Sequence, residues 1–165
     1  SAILIVALLA GYGAAAAVTI MTDPEAISGL GALWRLTWTS TLLGATFLGI
    51  GYALSALSRR ASGAAGLAIG LWLVLVVLYD LGLLAAVVAD DGGTFTTRIF
   101  PIALLANPAD AFRLFNLTAS QASAVVSGVG GAATAIPQWQ SLVSVVVWPV
   151  VSLVLAAFAF RKVEP

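Results

Sequence analysis

Four apolar stretches, each long enough to cross a lipid hydrocarbon layer as a helix, divide this 165-residue chain. A layer about 30 Å thick takes roughly 20 apolar residues, and lipid admits only backbones that satisfy their own amides, as helices do. The stretches are residues 2–21, 36–57, 61–89 and 140–160. Only 8% of the residues are charged, against roughly 25% in soluble domains. With 61% hydrophobic residues and a mean hydropathy of +1.09, a soluble globular domain is excluded. The sequence predicts an all-α membrane protein, a bundle of four transmembrane helices forming a single domain over residues 1–165.

The connections give the bundle its direction. Asp23, Pro24 and Glu25 form a polar turn after the first span. Trp34, Arg35 and Trp38 head the second span, as amphipathic side chains do at a membrane interface, and Ser58, Arg59 and Arg60 end it. The third stretch is interrupted only by Asp80. As one helix it rises roughly 43 Å, so it must tilt, break or emerge. Residues 90–138, dominated by Gly, Ser, Thr and Ala, contain no run of spanning length built of large apolar residues and read as an extracytoplasmic or re-entrant segment. Within it, Asn107-Pro108-Ala109-Asp110 predicts a helix start, with Asn at the N-cap, Pro at N1 and Asp facing the positive helix end. Thr118 and Gln121 fit a second capping box and Gly128 a stop, so two short helices are expected before Pro137. Pro149 is expected to kink the last span. Arg59, Arg60, Arg161 and Lys162 fall on one side under four-span alternation, which the positive-inside rule makes cytoplasmic. Both ends, including the C-terminus, are then cytoplasmic. Ser1 opens the chain without Met or a basic leader, so the sequence is read as a piece of a longer protein.

Absent residue types restrict the chemistry. Seven basic and seven acidic residues cancel, which leaves no global pull toward nucleic acid. With no Cys and no His, thiolate and imidazole metal sites, Cys nucleophiles and His-based triads are excluded. Lys162 is the single lysine, so no phosphate-binding G-x-x-x-x-G-K-[ST] loop exists. A non-catalytic chain without bound cofactor or metal is expected, and ATP-driven work would belong to a separate subunit.

Candidates for gating or partner contact are Arg59, Arg60, Asp80, Asn107, Pro108, Asp110, Phe112, Arg113 and Phe115. Asp80 lies about 30 Å beyond Arg60 along a straight helix. It reads as the outer end of the hydrocarbon, or as the cap of a break before Leu81 and Gly82, or as the proton site of a stand-alone secondary transporter. An intramembrane aspartyl protease would need a second carboxylate beside it, and Asp90 and Asp91 sit in a Gly-rich loop instead. Ser62, Gly66 and Gly70 form a small-residue ladder, read as a packing seam within the chain ahead of a dimer interface. Arg59 and Arg60 mark orientation or face a cytoplasmic partner. Phe112 and Phe115 are expected against the outer ends of the spans, or as a docking surface.

Phe47 to Leu73, FLGIGYALSALSRRASGAAGLAIGLWL, resembles the span, short basic turn and small-residue span of ABC-2 type transporter permeases. More narrowly, Ile99 to Leu117, IFPIALLANPADAFRLFNL, is similar to the membrane subunits of nitrous oxide reductase maturation ABC transporters in denitrifying bacteria. The resemblance implies the C-terminal part of a six-helix permease, whose main coupling helix precedes residue 1. It also implies a homodimer in the bacterial inner membrane, ATPase subunits holding ATP and Mg beneath it, and a periplasmic accessory protein above. The implied role is support for assembly of the reductase's copper centres. Met21 is the one soft ligand in the chain, so a copper relay through it is not expected. Transmission of ATP-driven motion, or passage of another cargo, remains, with a structural membrane anchor as a further alternative.

Overall fold

The computed structural model describes residues 2–22, 29–58, 60–117 and 136–161. The acidic turn with Asp23 and Glu25, Arg59, the proposed Thr118–Gln121 cap, Gly128 and Lys162 lie outside the described residues. Among the described residues there is no strand, and four helices are long and apolar enough to cross a membrane.

These are α1 (Ala2–Thr22), α2 (Leu30–Leu57), a third rod over Ser62–Asp90, and α7 (Gln138–Arg161). The third rod consists of α3 (Ala61–Leu73), a π-helical turn (Val74–Leu78) and α4 (Tyr79–Asp90). It runs unbroken through Leu81 and Gly82, so Asp80 caps no break there. Continuity through an extra-wide turn, with no Pro inside, explains how 29 residues remain one rod. A second π-turn (Phe95–Ile99) leads into α5 (Phe100–Ala106), and α6 (Pro108–Leu117) follows after Asn107.

The rods pack unequally. α2 and α7 run in the same direction, Leu42 packing in the cluster of Val145 and Gly49 against Ser152, as expected of the second and fourth members of an alternating bundle. α7 turns one narrow stripe inward, Ser141, Val145, Pro149, Ser152, Ala156 and Ala159, at spacings of three and four. Its residues are mostly small because lipid gives no hydrophobic drive to helix pairing, and close van der Waals approach must supply it. A Cβ on Gly49 would stand 2.9 Å from the Ser152 backbone carbon. Hydroxyls in α2 are satisfied internally: Thr37, Thr39, Thr41 and Thr46 each donate to the carbonyl four residues back. α1 leans on α2 through a Tyr12–Ser40 hydroxyl hydrogen bond of 3.0 Å and Leu4 over Gly44, and buries no residue of its own.

The short helices do not extend beyond the end of the bundle. They form a helical hairpin folded back beside it, with Asn107 at its turn touching Leu75, halfway along the third rod. Two apolar clusters hold it. Leu104 and Leu114 pack with Ile136, Leu83 and Phe100, while Ala111 and Phe115 pack with Val145, Trp38 and Leu42.

Candidate functional site

Asn107 sits where the hairpin turns, and its sequence role as a cap is realised: Oδ1 accepts the Ala109 N–H at 2.9 Å. Its other side-chain atom does a second job. In the π-turn the Tyr79 N–H returns to the Val74 carbonyl, which leaves the Leu75 carbonyl for Asn107 Nδ2 at 2.6 Å. Asn107 is 1% exposed, so both bonds form where water does not compete. One helical turn on, the Tyr79 hydroxyl donates to the Ala103 carbonyl at 2.8 Å. Leu75, Tyr79 and Leu83 thus present one face of the third rod to the hairpin.

Next to that face lies the one ion-pair group among the described residues. Arg113 bonds the Asp80 carboxylate with Nη1, and the same nitrogen lies 3.2 Å from Asp110 Oδ1, one turn earlier on α6. Asp110 is 4% exposed, and its Oδ2 has no hydrogen-bond partner. α6 is not one of the four spanning helices. Burial first, and then the neighbouring Asp80 carboxylate, push the Asp110 carboxyl up to about 7 against the opposing pull of Arg113.

On the other sides, Asn116 Nδ2 donates to Thr39 Oγ1 of α2 at 3.1 Å, and Ser144 Oγ of α7 donates to the Leu105 carbonyl at 2.6 Å. Phe115 meets Trp38 edge-on, ring centroids 5.7 Å apart. Pro108 is buried at the start of α6, and Phe112 is half-buried in the cleft between Pro108, Thr46 and Trp148.

The sequence-derived candidates therefore divide. Asp80, Asn107, Pro108, Asp110, Phe112, Arg113 and Phe115 come together at the hairpin. Phe115 is interior and Phe112 half so: their rings fill the wedge between α2 and α7, as the reading of packing against the spans expects, and the alternative of an open docking surface is not what they form. Arg60 stands apart, exposed ahead of α3, where its carbonyl accepts the Ala64 N–H. Ser62, Gly66 and Gly70 are exposed, with no atom of another helix within 4 Å of a Cβ placed on either glycine. The expected seam within the chain is not formed there, because α3 turns its Ala64, Ala68 and Leu71 face inward instead.

Sequence reasoning missed the carboxylate beside Asp80, which is Asp110 and not Asp90 or Asp91. Its signal was charge: an aspartate in an apolar run calls for a cation, and Arg113 carries Asp110 three residues before it. Tyr79, Trp38 and Ser144 carried no such mark.

A profile of ABC-2 family transporter proteins matches residues 1–164. The chain is 40% identical over 164 residues to a probable ABC transporter permease protein NosY of Pseudomonas aeruginosa, covering 97% of this chain and 59% of that relative. It is 38% identical to a protein of the same description from Stutzerimonas stutzeri, with the same coverage. The chain thus spans 59% of the length of these relatives. With helices throughout its described residues and four of spanning length, the chain belongs to the ABC-2 family of transporter proteins.

Proposed function

We propose that this chain is the membrane-embedded part of an ABC transporter permease and that its hairpin carries motion from the spanning helices to the far side of the membrane. The observation behind this reading is the hairpin's attachment: it is tied to the midpoint of the third rod through Asn107 and wedged between α2 and α7 through Phe115. A displacement of any of these rods displaces the hairpin with it.

The energy source belongs to partners in this reading. ATP and Mg bind a separate ATPase subunit on the cytoplasmic side, where Arg60 and the C-terminus lie, and two permease copies form the transporter in the bacterial inner membrane. The chain itself is non-catalytic. The NosY-like relatives and the Ile99–Leu117 motif support a role in nitrous oxide reductase maturation, with a periplasmic accessory protein receiving the motion. Without Cys or His the chain offers no thiolate or imidazole set for copper, which favours force transmission or another cargo over copper passage.

The test is to loosen the hairpin without touching the cytoplasmic face. A Tyr79→Phe, Asn107→Ala double variant removes two of its polar ties to the third rod. We expect the ATPase to co-purify and hydrolyse ATP as before, while copper content of the reductase falls several-fold. Failure of any ATPase to co-purify with the wild-type permease would refute the reading, and so would full maturation by the double variant.

A further inference from the structure

Asp80, Asp110 and Arg113 place two carboxylates around one guanidinium. Among the described residues no further cation pairs with them. From residue 92 to residue 160 the ionisable side chains are Arg98, Asp110 and Arg113 alone, so residues 118–135 cannot contribute one. Arg98 is exposed near the start of the hairpin. α5, α7 up to Arg161, and the π-turn at Val74–Leu78 carry no ionisable group. On α2, Arg35 lies one turn before the Thr39 that meets Asn116, at the far end of α6, and Tyr52 is exposed toward the opposite end of that helix. On α4, Tyr79 lies within electrostatic reach of Asp110, and Asp90 stands ten residues beyond Asp80. With both carboxylates ionised, the group would hold one net negative charge against an apolar wall.

A buried excess charge is removed most readily by a proton. Asp110 Oδ2 is buried and lacks a donor, and the Asp80 and Asp110 carboxylates meet on the same nitrogen, Arg113 Nη1. The group opens outward from the chain on one side, where the Arg113 and Asp80 side chains are 44% and 39% exposed although Asp110 is not. We propose that Asp80, Asp110 and Arg113 form a one-proton binding site, in which Asp110 carries the proton on Oδ2, shares it with Asp80, and Arg113 balances the remaining charge. Proton uptake brings the group from one negative charge to neutrality, with no bond formed or broken other than the O–H. Because Asp80 is on the third rod and Asp110 and Arg113 are on the hairpin, the bound proton favours the docked hairpin, and its release places two anions face to face across that junction.

The site is a property of the permease itself and goes beyond the role proposed above. Its test therefore uses the full-length permease in lipid nanodiscs, without ATPase or reductase, followed by infrared difference spectroscopy as pH is raised from about two units below neutrality to about two above. A carboxylic acid band from aspartate should be present on the acid side and disappear on the alkaline side. Asp110→Asn and Asp80→Asn should each abolish the titrating band, since either leaves one carboxylate for one guanidinium. Arg113→Gln should keep the band and move its midpoint to higher pH. The wild-type titration decides the matter even if a variant fails to fold: no protonated aspartate near neutral pH would overturn the site. Persistence of the same band in folded Asp110→Asn would overturn it as well. Loss of maturation activity alone bears on the relay and leaves this site untouched.

Discussion

A single side chain, Asn107, bonds α6 with one atom and the third rod with the other. Asn107→Ala should lower stability by about 2 kcal/mol or more, since it removes an N-cap and leaves a buried carbonyl unpaired. Asn107→Ser separates the two effects, for its hydroxyl can still cap α6 and is too short to reach the Leu75 carbonyl. Thermal unfolding in a fixed detergent would rank wild type above Ser above Ala. Asp110 gives the molecule a pH signature of definite sign. Its carboxyl is raised to about 7 in the folded protein, whereas an unfolded aspartate titrates at about 3.9. Over that interval the folded state keeps a proton that the unfolded chain gives up. The stability tied to this proton is complete below about pH 4 and is lost as pH rises through about 7. Melting temperature should decline across that window in wild type, and the decline should flatten in Asp110→Asn. Asn107 was legible as a cap because capping is local. The companion of Asp80 was not, because it lies 33 residues away and only the fold brings Arg113 to it.

Among the elements, α2 and α7 are in close backbone approach at Gly49 and Ser152. Gly49→Ala should destabilise the pair by about 1–3 kcal/mol, because backbone as well as side chain of Ser152 must retreat. Gly51→Ala, two residues on, meets nothing within 4 Å, and its effect should stay within about 1 kcal/mol. Parallel melting curves of the two variants would check this, and equal behaviour would contradict the packing described. The extents of the spanning helices were readable from hydropathy to within a residue or two, apart from α2, which begins at Leu30 and not near Leu36. Trp34 and Arg35, which the sequence sets at the head of the span, both lie within the helix. The π-turns left no trace in the sequence: Val74–Leu78 is a run of Val and Leu that an ordinary helix accommodates equally well, and the wider turn is recognised only through the Leu75 carbonyl that Asn107 takes up.

At the scale of the whole molecule, four alternating rods place the start of the hairpin and the end of α2 at opposite faces. Because the chain has no cysteine, single cysteines at Phe95 and Ser58 should react with impermeant reagents added from opposite sides of the membrane; labelling from one side alone would contradict the alternation. α1 stands differently from its neighbours, attached by the Tyr12–Ser40 hydrogen bond and by Leu4 against Gly44. Within residues 1–165 the helices are therefore held unequally: α7 lies along α2 through a stripe of small buried residues while α1 buries none, so in a preparation of this segment the amides of α1 should exchange with deuterium before those of the α2–α7 spine.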